Sequence, residues 1–364
     1  MRGRPLACLL VALLLSIRPG VAQTAGSKPV SAKPVSAKPA SAKPASTKPA
    51  STVRINGSST VLPLAREAVR SFQTGGQSRG SRFELGASGT SAGFRQFCAG
   101  RLSIATASRP ISGAELAQCE ARGVRFLELP VAFDAITVVV HPSNRWLDQI
   151  TTAQLKTIWN RRAEGTIRRW RQVDRTWPDR AIRLCGPGQD SGTFDTFNKA
   201  INGQEDNSRR DYTASEDDDV LVRCVATHPD SLGYFGFDYY QSNRRALKAL
   251  AVVGPRGPVL PSQATVQTSQ YTPLSRALFF YVNERDLQQQ PVVRQFVNAT
   301  LQQGTAVAER SGVIPLPDST YRLVAAKLYR NIAGTAFDGT LPVGLTLGKI
   351  LQRSFAEHKQ PQFR

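Results

Sequence analysis

The chain has 364 residues, of which 41% are hydrophobic and 20% charged, and its formal net charge is +20. That composition excludes a disordered chain, a collagen-like fibre and a long coiled coil, and the length fits two domains or one large divided one. A single Met argues against a Met-rich, adaptable binding surface.

The first residues read as an export signal. Arg2 and Arg4 form a positive n-region, Leu6 to Ile17 is an apolar run too short for a membrane span, and Gly20 and Ala22 supply a cleavage site. Residues 1–22 are therefore expected to be removed. No later segment of eighteen apolar residues follows, so a soluble, periplasmic or extracellular monomer of about +17 is expected. Cys8 lies inside the apolar run, which argues against a lipid anchor. Without it, Cys98, Cys119, Cys185 and Cys224 remain, an even number that suggests disulfides in an oxidising compartment and leaves three pairings open. None shows C-x-x-C or His-paired spacing, so no metal site is expected.

Residues 23–52 form a linker. Lys28, Lys33, Lys38, Lys43 and Lys48 each precede a Pro, a pattern that favours extended polyproline II and offers no apolar face. The folded part starts near Thr52. Strands are expected at Val53–Ile55, Phe83–Leu85, Ala135–Val140, Ala181–Leu184, Leu232–Phe237, Leu247–Val253 and Ala277–Val282. Helices are expected at Leu64–Phe72, Ala92–Ala99, Gly113–Arg122, Thr152–Trp159, Phe194–Ile201 and Val292–Gln302, with Thr151 or Thr152 capping the fourth. This alternation indicates an α/β fold. Between Arg161 and Arg183 eight Arg face Glu164, Asp174 and Asp179. No nucleic-acid module accompanies them, so a solvated basic face is expected and no nucleic-acid partner.

Three segments share one design. Gly57-Ser58-Ser59-Thr60, Gly86-Ala87-Ser88-Gly89-Thr90-Ser91 and Asp190-Ser191-Gly192-Thr193 each place glycines and hydroxyls between a strand and a helix. Such a turn presents unpaired N–H groups and the positive end of a helix dipole, which suits a tetrahedral oxyanion. Singly, each reads as an ordinary N-cap. Together, and beside Ala107-Ser108-Arg109-Pro110-Ile111, they point to an anion site. Arg109 would add a permanent charge and a fork of donors.

The sequence resembles the phosphate-binding proteins of bacterial phosphate ABC transporters, with the periplasmic binding protein type 2 fold. The match rests on GSSTVLPL (57–64), ASGTSAGF (87–94), ASRPI (107–111), ELPVAFDAITVVVHP (128–142) and TTAQLKTIW (151–159). It continues through GPGQDSGTF (186–194), LGYFGFDYY (232–240), YTPLSRALFFYV (271–282) and GVIPLP (312–317). With Ser-Arg-Pro and paired cysteines, the chain is similar to the cyanobacterial-type branch. The resemblance implies two α/β lobes joined by two crossing strands around a cleft, residues 53–133 plus 274–364 forming one lobe and 134–273 the other. It implies that Ser59, Thr60, Ser88 or Thr90, Ser191, Gly192 and Thr193 hold phosphate, with an ABC permease and its ATPase as partners and no cofactor.

Two departures stand out. Many members carry an Arg where this chain has Pro187, and an Asp that accepts the phosphate proton where this chain has Arg109. Arg109 is thus expected to supply the charge, and Asp190 or the run Glu216-Asp217-Asp218-Asp219 the proton acceptor. Within the implied lobes, the pairs Cys98–Cys119 and Cys185–Cys224 leave the hinge free, and they are the expected disulfides.

The same turns would serve another tetrahedral oxyanion, or a scavenger without a transporter. Asp190-Ser191-Gly192 also resembles a serine-hydrolase nucleophile. Yet G-x-S-x-G is absent, and His141, His228 and His358, the three histidines, read as surface groups rather than as a positioned base. A binding protein, not an enzyme, is expected.

Overall fold

A computed structural model describes residues 51–76, 80–254 and 256–343. The signal peptide, the Lys/Pro repeats and His358 lie outside the described residues. The first strand, Thr52–Gly57, turns Val53 and Ile55 inward. They meet the helix Leu62–Thr74, whose Leu64, Ala65, Ala68, Val69 and Phe72 form one buried stripe.

The first sheet orders its strands as Arg82–Leu85, Thr52–Gly57, Ile104–Ala107, Ser275–Asn283 and Phe126–Ala135. The first three run parallel, and Ser275–Asn283 pairs antiparallel with both of its neighbours. Phe126–Ala135 is buried at every position, which explains its near-continuous apolar sequence. The second sheet orders Lys248–Ala249, Thr137–Val140, Ser231–Phe235, Arg183–Pro187 and Thr213–Ser215. A small third sheet joins Gly257–Val259, Ala251–Gly254 and Gln149–Thr151. We call the first sheet with its helices the first lobe, and the other two sheets with theirs the second.

Several expected elements divide where the chain changes sheet. The expected strand Ala135–Val140 is interrupted at Ile136: Phe126–Ala135 belongs to the first sheet and Thr137–Val140 starts the second. Likewise Leu247–Val253 breaks at Leu250, between the second sheet and the third. A buried run looks apolar in either sheet, so periodicity does not mark the crossing. Ile104–Ala107 is a strand the sequence reading lacks; it is only four residues long, and its strand-favouring Ile104 and Thr106 alternate with alanines. The cap of Thr152–Trp159 is Thr151, in a capping box with Gln154.

Each lobe has its own aromatic packing. In the first, Phe94 and Phe126 pack edge-on to Tyr281. In the second, Phe197 stacks on Tyr234 at 3.8 Å, with Trp159 edge-on to both. The Arg-rich stretch wraps a second cluster, Trp146, Trp170 and Trp177, and leaves its arginines exposed at the surface. Disulfides join Cys98 to Cys119 in the first lobe and Cys185 to Cys224 in the second. No helix among the described residues is long and apolar enough to cross a membrane.

Candidate anion-binding site

The three hydroxyl-and-glycine turns meet at the junction of the two lobes. Thr60 ends the first hydroxyl turn and Thr193 lies in the first turn of the helix Gly192–Asn202, 133 residues later, yet their hydroxyls lie 3.3 Å apart. Thr60 is fully buried and Thr193 nearly so. The second turn closes from the side. A Cβ on Gly192 would stand 2.7 Å from both the Thr90 and Ser108 hydroxyls, so only glycine lets the backbone approach this closely. The Ser108 N–H donates to Thr90 Oγ1 at 3.3 Å, which ties the second turn to the strand Ile104–Ala107.

Ser191 caps the helix Gly192–Asn202, its hydroxyl accepting from the Thr193 N–H. Ser88 stands apart, its hydroxyl bonded to the Gln96 amide. Of the second turn, Thr90 is the residue packed against Gly192 and Ser108. Ser59 is buried beside the Asp218 carboxyl of the second lobe.

Arg109 lies at the same junction but is fully engaged. Its Nε donates to Asp195 at 2.6 Å, and its Nη1 to Glu115 and to the Pro110 carbonyl. Its Nη2 donates to Glu115 and to the Ser91 hydroxyl. All five donors of the guanidinium thus have acceptors within the protein. The charge expected to face an anion is committed in this structure to clasping Asp195 of the second lobe against Glu115 of the first. Two buried acids share this one cation, and burial pushes the Asp195 carboxyl up to about 6.

A second buried arginine, which the sequence reading passes over, occupies the centre. Arg276 and Asp134 are register partners on the two crossing strands. Arg276 donates to Asp134 Oδ2 from Nε at 3.0 Å and from Nη2 at 2.7 Å. The same Nη2 reaches the Thr193 hydroxyl at 2.8 Å and the Thr60 hydroxyl at 3.2 Å. Asp134 Oδ1 accepts the Phe237 N–H, so the pair also holds a helix start of the second lobe. The signal available in the sequence was a lone acid and a lone base, each inside an otherwise apolar stretch near a crossing point.

Acidic residues surround this centre. Burial pushes the Asp218 and Glu216 carboxyls up to about 7, and holds that of Asp238 well above the usual carboxylate range. Glu216 accepts the Asp190 N–H at 3.1 Å, and Asp217 caps the helix Asp218–Ala226. Asp190 itself faces outward. Its carboxylate receives both Nη1 and Nη2 of Arg95, at 2.7 and 2.9 Å, across the rim between the lobes. A groove of about 410 Å³ opens on that side, between Arg95, Arg109, Asp195 and Arg210. The described histidines are engaged elsewhere: His141 with Ser143, His228 with Thr227 and Arg183.

Comparison with known proteins places the chain in a family. The model of the PBP superfamily domain matches residues 42–301. Protein SphX of Synechocystis sp. is 47% identical over 302 residues, covering 83% of this chain and 89% of the relative. The phosphate-binding protein PstS of Staphylococcus haemolyticus is 32% identical, covering 73% of this chain and 81% of the relative. The chain belongs to the phosphate-binding proteins of the PBP superfamily. A crystal structure of a possible phosphate binding protein from Planctomyces limnophilus superposes with a TM-score of 0.58 at 36% identity, covering 77% of this chain and 98% of the other. Among phosphate-binding proteins, then, this one carries Arg109 in a clasp and Arg276 at the centre of the converging turns.

Proposed function

We propose that the chain is an exported solute-binding protein that captures one inorganic phosphate between its lobes and delivers it, unchanged, to an ABC-type permease and ATPase. The lobes would be residues 53–133 plus 274–364, and 134–273. One observation carries the reading: hydroxyls from helix starts in both lobes converge on a buried arginine at the crossing strands. Ser59, Thr60, Thr90, Ser191, Gly192 and Thr193 are the proposed donors, with Ser88 shaping the second turn. The Thr60 and Thr193 hydroxyls are too close for an anion between them, so phosphate enters by a hinge motion that parts the lobes. Relatives such as the PstS protein of Staphylococcus haemolyticus, named for phosphate binding, support the ligand.

The test is calorimetric titration of refolded, anion-free mature protein with phosphate, sulfate and arsenate. One phosphate per chain, far tighter than sulfate at pH 8, is the expected result. Equal affinity for sulfate would overturn the choice of ligand. Hydrolysis of phosphate esters that Ser191→Ala abolishes would overturn the non-catalytic role.

A further inference from the structure

A phosphate in a closed cleft loses its water and needs charged donors as well as dipoles. At the lobe junction two buried guanidinium groups compete for that part. Arg109 has no donor left. Arg276 differs in one respect. It is 6% exposed, its Nε and Nη2 are bonded, and its Nη1 is buried with no acceptor among the described residues. Leaving charged N–H groups buried and unpaired is expensive, so a native site with such a group has an acceptor in its working state. A cavity of about 20 Å³ lies against Arg276, Ser108, Thr196 and Ser275. It holds one water-sized group, not a phosphate, until the lobes part.

We infer that Arg276, through Nη1, is the charged ligand of the bound oxyanion, with Asp134 as the residue that positions it. The inference rests on the anion-binding reading above. Asp134 holds Nε and Nη2 from the neighbouring strand, which fixes the plane of the fork and leaves its other edge for the anion. The Thr60 and Thr193 hydroxyls both crowd the same Nη2, together with Asp134, giving three acceptors for two hydrogens. Because the hydroxyls accept from Nη2, at least one of their own O–H hydrogens is free to donate to a phosphate oxygen at the neighbouring Nη1. Arg276 lies on the strand that returns the chain to the first lobe and touches a hydroxyl from each lobe. It therefore makes its full set of contacts only when the lobes are closed.

The test titrates mature wild-type protein, Arg276→Lys and the neutral pair Asp134→Asn/Arg276→Gln with phosphate, arsenate and sulfate. The neutral pair avoids a stranded buried charge, and circular dichroism checks that each variant is folded. Arg276→Lys keeps the partner of Asp134 but has no second edge, and is expected to weaken phosphate binding about tenfold; the neutral pair should weaken it about a hundredfold. A folded neutral pair with wild-type anion affinity would overturn the inference. If the wild type prefers sulfate, the phosphate reading falls, and Arg276 is then judged by the loss of sulfate affinity in the same variants. If the wild type binds none of the three anions, both readings fall.

Discussion

Arg109 and Arg276 are two buried arginines at one lobe junction with opposite relations to their surroundings. Arg109 faces two acids, one of them six residues along the same segment, and every donor it owns is bonded. Arg276 bonds one acid, 142 residues away in sequence, and its Nη1 has no acceptor among the described residues. The first arrangement closes on itself and can only hold parts of the protein together. The second is incomplete and can take up something from outside. On the inference above, the count of acceptors against donors, not burial or charge, is what distinguishes the two arginines.

The largest effect that sharpens this contrast is expected on stability. Arg109→Ala strands the buried Glu115 and Asp195 carboxyls without their cation. Removing one partner of a buried ion pair costs about 3–5 kcal/mol, and urea unfolding should show a loss of that size. The triple neutral variant Arg109→Met/Glu115→Gln/Asp195→Asn should recover most of it. An Arg109→Ala protein with wild-type stability and a hundredfold weaker hold on phosphate would reverse the two roles.

Much of the proposed donor set was legible because its chemistry is local. Gly57, Gly89 and Gly192 beside serines and threonines mark strand-to-helix turns within a few residues of sequence, and those turns are found where expected. The two lobes and the outgoing crossing came from the resemblance; the apolar run itself suggested a strand only from Ala135, where Phe126–Ala135 in fact ends. The partners of the two arginines were not legible. Arg109 stands in a small-residue turn that resembles a ligand loop, whereas Glu115 and Asp195, which occupy it, sit on two helices and carry no motif. Arg276 and Asp134 become neighbours only through the antiparallel register of the crossing strands. Such a pairing is a tertiary fact, and no window of the sequence contains it.

A smaller effect is expected from the buried acids of the lobe junction. Asp195 is raised to about 6, and Asp218 and Glu216 to about 7, so between about pH 4 and 7 the folded chain holds protons that the unfolded chain has released. Stability must then fall as pH rises through that window and level off above it. Glu67 and Asp211, held near 2 by their arginine partners, act in the opposite sense but only below about pH 4. Unfolding free energies measured from pH 5 to 8 should decline, with about 2–3 kcal/mol of the fall carried by Asp218 alone, and Asp218→Asn should flatten the curve above pH 6 in part. Arg109→Met should leave the Asp218 part of the slope in place, since that acid belongs to the Arg276 side of the junction. An Asp218→Asn profile with the wild-type slope would mean that this acid is not the group titrating there.

The smallest effect concerns a third arginine, which tests whether any bridge between the lobes would do. Arg95 and Asp190 form a two-pronged ion pair across the rim, like Arg109 and its acids, but their side chains are 54% and 39% exposed. Exposed pairs contribute at most about 1 kcal/mol, because water and salt screen them and two long side chains must be held still. The backbone bond from the Ser91 N–H to the Asp190 carbonyl, at 2.9 Å, survives any substitution of Arg95 and keeps part of the rim contact. If the pair favours the closed lobes by no more than that amount, Arg95→Ala should speed phosphate release by about fivefold at most. Stopped-flow measurements with a fluorophore on the rim would read the rate directly. Raising the salt from low to ~0.5 M should speed release from the wild type toward the rate of the variant and change the variant itself little. A release rate that rises more than about tenfold in Arg95→Ala, or a variant as salt-sensitive as the wild type, would place Arg95 with Arg276 rather than among the clasps.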